Sequence, residues 1–284
     1  MTDAIAQHLL ATVEQSPAAA AAHDRAGWVG LFSADGQVED PVGSRPHVGA
    51  EQIGRFYDTF IGPRDITFHR DLDIVRGTTV VRDLELEVAM GPSVIMHIPA
   101  ILRYDLTEDD PTEDGPTEDL TEDLTGAGRR WKLRRLRAYW ELPAMMRRFL
   151  GNGVAAAPAA VQLSRSLLRN QRLAGTAGFA AGFRRPAGRG KRPVRAFLAA
   201  VSSGELSTVT AALSPAVTMT YGDDTVIDLA ELAARLVGAR PTKLLAAGRT
   251  VAVSLTAAQQ RGVLFADVDR GGRAITTVRY FAED

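Results

Sequence analysis

The chain has 284 residues, with 33 Lys and Arg against 34 Asp and Glu, which gives a net charge of −1 at pH 7. That length suffices for one large domain or two small ones, each with its own core. The absence of cysteine excludes a disulfide scaffold, a thiolate metal site and a cysteine nucleophile. There is no long apolar run and no secretory signal, so we expect a cytoplasmic protein without a membrane span. The near-neutral charge indicates no nucleic-acid partner.

Charge is strongly segregated along the chain. Residues 142–204 contain eleven basic residues and no acidic one, whereas residues 107–126 carry nine acids in repeated Thr-Glu-Asp triplets. The acidic segment has too few apolar residues to bury and predicts a solvated loop. We predict a domain over 1–150 that contains this loop, a basic Ala/Arg-rich helical linker over 151–191, and a second domain over 192–284.

The first domain alternates helical and strand patterns. A helix is expected over 3–14, and Ser16-Pro17 has the form of an N-cap that opens a second helix to about residue 32. A short strand bearing Asp40 and a helix over 50–61 follow. Four strands are expected near 66–76, 79–90, 94–106 and 130–142. Helices on one face of a curved antiparallel sheet make this an α+β cone.

Two of these strands have informative side-chain phases. Apolar residues alternate here with acidic ones, which is typical of a sheet with one solvated face. The apolar set is Leu84, Leu86, Val88 and Met90, and the acidic set is Asp83, Glu85 and Glu87. In the last strand Trp131 and Leu133 share one phase, while Leu136, Ala138 and Trp140 share the other. A β-bulge at Arg134-Arg135 is therefore predicted.

Residues 192–284 repeat the same order of elements in degenerate form. Two helical segments, a strand over 216–221, a helix capped by Asp228 and three strands near 244–255, 260–269 and 273–282 are expected. Thr220 aligns with Asp40, so the second copy lacks that carboxylate. We expect a tandem duplication whose two sheets pack together as an intramolecular pseudo-dimer.

The most informative motif is the run Val38-Glu39-Asp40-Pro41-Val42-Gly43-Ser44. It lies between apolar helical segments, and Pro41 and Gly43 turn the chain directly after Asp40. A turn-capping role is open to an Asp-Pro pair. A carboxyl held among apolar walls can instead act as a proton acceptor, because such surroundings disfavour its charged form.

This run, with Leu31-Phe32 before it and Ile53 and Phe56-Tyr57 after it, resembles the ketosteroid isomerase-like branch of the NTF2-like (SnoaL-like) superfamily. The resemblance is specific over about 20–60 and extends by strand pattern to about 142. It implies the NTF2-like cone, an apolar pocket and Asp40 as the general base. The family's two oxyanion donors fall on Ser16 and Ala100, neither of which can replace the original group.

Other site residues follow from the resemblance and from the apolar phases. Tyr57 matches a supporting tyrosine, although it could equally be a core aromatic. Arg82 shares a phase with apolar residues, so it either extends outward from the strand end or forms a buried pair with a carboxylate. The expected hydrophobic pocket is lined by residues from both layers: Trp28, Phe32, Asp40, Phe56, Tyr57, Ala100 and Trp140.

Three functions remain open from the sequence. The protein could isomerise a steroid- or polyketide-like apolar molecule through Asp40, or bind such a ligand without catalysis. An epoxide hydrolase- or cyclase-like reaction would need an Asp–Arg pair, for which Arg82 is the candidate. No metal spacing and no phosphate-binding loop is present, so we expect no metal and no cofactor.

Overall fold

The computed structural model describes residues 3–90, 94–109, 130–151, 161, 187–205, 209–257 and 260–283. Most of the predicted acidic loop (107–126) and most of the predicted linker (151–191) lie outside these residues. The described elements form an N-terminal unit (residues 3–151) and a C-terminal unit (residues 187–283). The boundaries at 150 and 192 remain a proposal; the first helix of the C-terminal unit begins at Ala187, before the expected start of the second domain.

The N-terminal unit contains four helices and six strands among its described residues. In chain order they are α1 (Asp3–Ala21), α2 (Arg25–Gly30), β1 (Phe32–Glu39), β2 (His47–Val48), α3 (Gly49–Phe56) with a π-helical turn (Tyr57–Ile61), β3 (Ile66–Arg76), β4 (Thr79–Ala89), β5 (Ile95–Glu108), β6 (Trp131–Tyr139) and α4 (Leu142–Gly151). The predicted strand positions therefore hold to within a few residues.

The predicted helix start at Ser16-Pro17 is wrong. Helix α1 runs through Pro17 to Ala21, and α2 begins at Arg25 with Asp24 as its N-cap. Ser16 is buried and its Oγ accepts a hydrogen bond from Trp28 Nε1 at 3.1 Å. Burial of one face of α1 outweighs the backbone hydrogen bond that proline removes, so tertiary packing overrides the local signal.

The N-terminal sheet has the order β2-β1-β6-β5-β4-β3. Strand β1 pairs in parallel with β6, while the remaining neighbours are antiparallel, so the sheet is mixed rather than wholly antiparallel as expected. Between β5 and β6 the register passes from Asp105↔Arg135 to Leu106↔Leu133. Arg134 is the extra residue, which confirms the predicted bulge.

The C-terminal unit repeats this plan. Its elements are α5 (Ala187–Ser203), a 3₁₀ turn (Thr210–Ala212), β7 (Leu213–Tyr221), β8 (Thr225–Val226), α6 (Leu229–Leu236), β9 (Arg240–Ala247), β10 (Thr250–Thr256), β11 (Arg261–Val268) and β12 (Ile275–Ala282). Asp228 caps α6 as predicted. The strand predicted over 244–255 is two strands, because Gly248 turns the chain with φ +59°. The order β8-β7-β12-β11-β10-β9 matches the first sheet.

The helices cover one face of each sheet, and the other two faces pack against each other. An apolar layer joins the sheets, contributed by both units: Leu72, Ile74, Val81, Ile101, Tyr139, Leu245, Ala247, Ala252, Val263, Phe265 and Phe281. This contact corrects the expectation of a solvated face. Asp83 is only 1% exposed, and it bonds to Lys243 and Ser254 of the C-terminal unit. A buried carboxylate requires such partners.

A Thr–Asp–Arg triad recurs at matching places on the inner faces of the two sheets. In the N-terminal unit Asp105 accepts from Arg137 at 2.7 Å and lies beside Thr79.

In the C-terminal unit Asp267 accepts from Arg279 at 2.8 Å and from Thr250 at 2.5 Å. Each Thr begins the fourth strand of its unit, and each Thr is paired in register with its Asp. Equal topology together with an equal polar triad supports the tandem duplication.

Candidate active site

The Asp40 loop, residues 40–44, is hydrogen-bonded to strand β6. Strand β1 ends at Glu39, whose Oε1 accepts a hydrogen bond from Gly43 N at 2.8 Å. Val42 N donates to Ala138 O at 2.8 Å, and Ser44 N donates to Pro41 O at 3.0 Å. Gly43 has φ +95°, a conformation that side chains disfavour. These bonds fix Asp40 at the point where the chain leaves the sheet.

Asp40 accepts a hydrogen bond from one side chain among the described residues. Trp140 Nε1 donates to Asp40 Oδ1 at 2.5 Å. Part of the residue reaches solvent, but protein surrounds its carboxyl group. Burial raises the pKa of Asp40 to about 6, and the bond from Trp140 acts in the opposite direction. A carboxyl that titrates near neutral pH is suited to accept a proton.

The predicted aromatic lining packs as a cluster in the core. The ring centroid of Trp28 lies 5.0 Å from that of Phe32, 6.1 Å from that of Phe56 and 5.6 Å from that of Tyr57. All four side chains are almost fully buried. The structure therefore brings these residues together, but as part of the packed core.

The two expected donor positions carry no oxyanion donor of the family type. Ser16 is engaged by Trp28, and Ala100 is fully buried with a methyl side chain. The hydroxyls of Tyr57 and Tyr104 are buried and make no hydrogen bond of good geometry to any described residue. Burial raises the pKa of both tyrosines, so both stay neutral donors. Tyr104 lies beside Ser16 and was missed in the sequence because it reads as an ordinary strand aromatic.

Arg82 is a buried cation paired with two carboxylates. Its Nε donates to Asp73 at 2.7 Å and its Nη2 donates to Glu14 at 2.8 Å. These bonds join helix α1 to strands β3 and β4. The guanidinium therefore fastens the helical layer to the sheet, and its bonds are to carboxylates other than Asp40.

A row of partly buried apolar side chains crosses three neighbouring strands of the sheet. Phe68, Leu86 and Ile98 are paired in register on β3, β4 and β5 and pack against the aromatic core. Phe60, Met145 and Met146 complete this apolar rim. On β5 the rim is close to Ala100, and α4, which carries both methionines, begins just after Trp140. The strand residues of this set alternate with polar ones, which places them on the face of the sheet that the helices cover. This alternation could have predicted them from the sequence.

Asp40 does not line either of two concave regions of the described chain. A groove of about 860 Å³ is lined by the start of α5 and the loop at 271–273, and a cavity of about 80 Å³ lies among α4, β5 and β9. Within the described residues no cluster of three or more His, Cys, Asp or Glu could hold a metal ion. None of the helices described is both long and apolar enough to cross a bilayer.

The fold and the site geometry define an NTF2-like domain. Residues 9–97, from α1 to the start of β5, match the family model described as the Nuclear transport factor 2 (NTF2) domain. The NTF2-like fold implied by the sequence resemblance is thereby confirmed for the N-terminal unit. The second, similarly ordered sheet fits a tandem copy.

Several solved proteins are similar to about half of this chain. A Mycobacterium tuberculosis protein in complex with estradiol-17β-hemisuccinate is 21% identical; the match covers 47% of this chain and 94% of that protein, with a TM-score of 0.37. The Δ5-3-ketosteroid isomerase of Mycobacterium sp. is 24% identical over 48% and 95%, with a TM-score of 0.37. The epoxide hydrolase/cyclase-like enzyme SalBIII is 17% identical over 50% and 96%, with a TM-score of 0.38.

Proposed function

We propose that the N-terminal unit binds an apolar small molecule of steroid- or polyketide-like character against the apolar rim, and that Asp40 accepts a proton from it. The observation that carries the proposal is the state of Asp40. Within the part of the chain that the structure describes, its carboxyl accepts a hydrogen bond from the indole N–H of Trp140, and burial moves its pKa to about 6. A carboxylate that served only to cap a turn would instead be stabilised in its charged form.

The reaction that fits this arrangement is a proton shift in an unsaturated ketone. Asp40 would remove a proton from the carbon next to the carbonyl and return it to a carbon further along. The developing oxyanion would find no family-type donor at Ser16 or Ala100. Removal of one such donor typically costs about 2.7–4 kcal/mol of barrier, so we expect slow turnover.

Ligand binding without catalysis is the second candidate, and the same two positions favour it. Ser16 accepts a hydrogen bond from Trp28 and Ala100 has a methyl side chain, so neither position supplies the family's charge-stabilising group. The third candidate, epoxide opening, draws no support from Arg82. Its guanidinium is held by Asp73 and Glu14.

Catalysis is tested with a β,γ-unsaturated 3-ketosteroid, followed by the absorbance of the conjugated enone product. We expect slow turnover in the wild type, none in Asp40→Asn and unchanged turnover in Asp35→Asn, which alters an exposed carboxylate on β1. Ala100→Asp should raise the rate if its acid stays protonated in the apolar site. Activity that survives Asp40→Asn would remove Asp40 from the mechanism.

Binding is tested by thermal shift across sterols and polyketides. Ile98→Gln, in the apolar rim, should weaken the shift, whereas Ile95→Gln at an exposed position of the same strand should not. Stabilisation without turnover would favour the non-catalytic candidate. If no compound raised the melting temperature, the proposed function would be wrong.

A further inference from the structure

The end of β9 and the turn after it touch the N-terminal unit on both sides of the Asp40–Trp140 hydrogen bond. Gly248, in the turn between β9 and β10, lies against Gly43 of the Asp40 loop. Ala246, near the end of β9, donates its N–H to Glu141, the residue after Trp140. One short segment of the C-terminal unit therefore contacts the chain beside the acceptor and beside the donor.

The contact between Gly43 and Gly248 is a backbone-to-backbone approach. A Cβ added at Gly43 would lie 2.4 Å from the Gly248 Cα, and one added at Gly248 would lie 2.8 Å from the Gly43 Cα. Both distances are shorter than the contacts that Cβ atoms make with non-bonded atoms in proteins, and the opposing atoms belong to the backbone. Any side chain at either position must therefore displace one of the two loops.

The second contact fixes the donor side. Ala246 N donates to Glu141 Oε1 at 3.0 Å, and Lys191 of α5 pairs with the same carboxylate. Val42, in the Asp40 loop, packs against the apolar layer between the sheets. Displacement of the β9–β10 turn would thus act on the loop and on the position after Trp140 together.

We propose that residues 246–248 of the C-terminal unit position Asp40 against Trp140, so that the second copy, which lacks the carboxylate itself, holds the working carboxylate of the first. Gly248 is a positioning residue in this scheme: it touches neither the ligand nor the reacting atoms. The inference rests on the proposed function only in naming Asp40 as the working group. The contacts of residues 246–248 with the Asp40 loop and with Glu141 do not depend on a bound ligand.

The chain supplies a matched control for Gly248. Gly77 occupies the same place in the N-terminal unit, in the turn between β3 and β4, with φ +56° against +59° at Gly248. A Cβ at Gly77 would meet nothing within 4 Å. Alanine imposes the same backbone strain at both glycines, but only at Gly248 does it collide with the Asp40 loop.

The test follows the indole N–H resonance of Trp140 in a ¹H–¹⁵N spectrum as pH is varied. Trp140→Phe identifies the signal among the three tryptophans. Protonation of Asp40 weakens the acceptor of this hydrogen bond, so the resonance should titrate with the pKa of Asp40, about 6. Burial and Arg45 lower the pKa of His47 to about 4, which separates its titration from that of Asp40.

Other charged groups face this region and are already engaged. Glu39 is held by Gly43 N, Glu141 by Ala246 N and Lys191, and Arg137 by Asp105. The bond of Glu39 lies within the Asp40 loop, and the bonds of Glu141 go to β9 and α5. The bond of Arg137 lies on the face of the sheet that meets the other unit. A shift that is specific to the Trp140 resonance therefore reports on Asp40.

We expect Gly248→Ala to lower the midpoint of the Trp140 titration by at least about half a pH unit. A displaced loop would admit water to the Asp40 carboxyl, and water favours the charged form. Gly77→Ala should leave the midpoint unchanged. Equal midpoints in the two folded variants would overturn the proposal. If Gly248→Ala did not fold, asparagine at each glycine would replace it, because asparagine tolerates positive φ; unfolding confined to Gly248→Asn would also overturn the proposal. Failure of all ligands to bind would defeat the proposed function and leave this titration intact.

Discussion

The two units keep the same inner face and differ in what lies under their helices. Both carry the Thr–Asp–Arg triad between the sheets, at Asp105 and at Asp267. Under the helices, the N-terminal unit has the aromatic cluster centred on Trp28 and the Asp40 loop, whereas the C-terminal core is mostly aliphatic. The second copy therefore has the same triad within its own sheet and lacks a carboxylate at the place of Asp40.

The register of the strands shows what replaces Asp40. Glu39 is paired with Arg137 and Thr220 with Arg279, so Tyr221, the next residue, occupies the place of Asp40. The alignment expected from sequence, with Thr220 there, is off by one residue. The Arg76 guanidinium of the N-terminal unit lies 3.6 Å from the Tyr221 ring centroid. The position that holds Asp40 in one copy holds, in the other, a tyrosine that contacts the neighbouring unit.

The largest effect should come from removing the second unit. Residues 1–150 alone would expose the apolar layer that now faces the C-terminal sheet, together with Asp83 without Lys243 and Ser254. We expect this fragment to self-associate and to melt at a lower temperature than the full chain. Sedimentation and calorimetry check this expectation; a stable monomer with an unchanged melting temperature would show that the sheets do not depend on each other.

The second effect separates the two triads. Asp105 is bonded by Arg103 and Arg137 and is nearly buried, whereas Asp267 has one arginine and more exposure. Asp105→Asn should reduce the free energy of unfolding by about 3 kcal/mol, since it removes the carboxylate bonded to Arg137 and one bonded to Arg103, which keeps Asp223. Asp267→Asn should reduce it by about 1 kcal/mol. Urea unfolding of both variants measures the difference; equal losses would contradict it.

The pH dependence of the Asp105 variant follows from the same contacts. Burial alone would raise its pKa, but Arg137 and Arg103 hold the pKa of Asp105 below its usual value. Its contribution to stability is therefore present above the unfolded-state pKa of about 3.9 and is lost as pH falls through the lower folded-state pKa. Asp105→Asn should abolish this part of the acid destabilisation.

The third effect is the pH dependence of stability contributed by Asp40, which is opposite in sign to that of Asp105. Its folded-state pKa of about 6 lies above its unfolded value. The stabilising contribution of the protonated form is thus fully present below about pH 4 and is lost as pH rises through 6. Asp40→Asn should therefore exceed the wild type in stability at pH 8 by up to about 3 kcal/mol and approach it at pH 4. Urea titrations at both values test this; a variant less stable at pH 8 would refute it.

The fold was predictable because strand patterns and turn residues are local. The strands from Ile66 to Tyr139 and the bulge at Arg134 follow from alternating side chains and a change of phase. The path of α1 through Pro17 was not predictable, since long-range burial decides it. The solvated face expected from Asp83 was wrong for the same reason: its partners lie in the other unit.

The candidate site was predictable in part. The Asp40 motif predicts its loop from local sequence. The contact of that loop with Gly248 depends on how the two sheets pack, which no local pattern predicts. Partners of Arg82 were equally hidden, because Glu14 and Asp73 are brought to it by the packing of α1 on the sheet. The apolar rim follows a visible phase, which alone does not distinguish a rim from a core.

The smallest effect concerns the contact that replaced Asp40. Arg76 of the N-terminal unit and Arg235 of the C-terminal unit lie over the same Tyr221 ring, at 3.6 Å and 4.4 Å from its centroid. A double-mutant cycle between Arg76→Met and Tyr221→Leu should give a coupling of about 0.5–1 kcal/mol, because methionine keeps much of the side-chain volume and removes the charge. The same cycle with Arg235→Met is the control within one unit. A coupling near zero for Arg76 beside a measurable one for Arg235 would mean that Tyr221 stabilises only its own unit, and that the Asp40 position lost its carboxylate without gaining a role between the units.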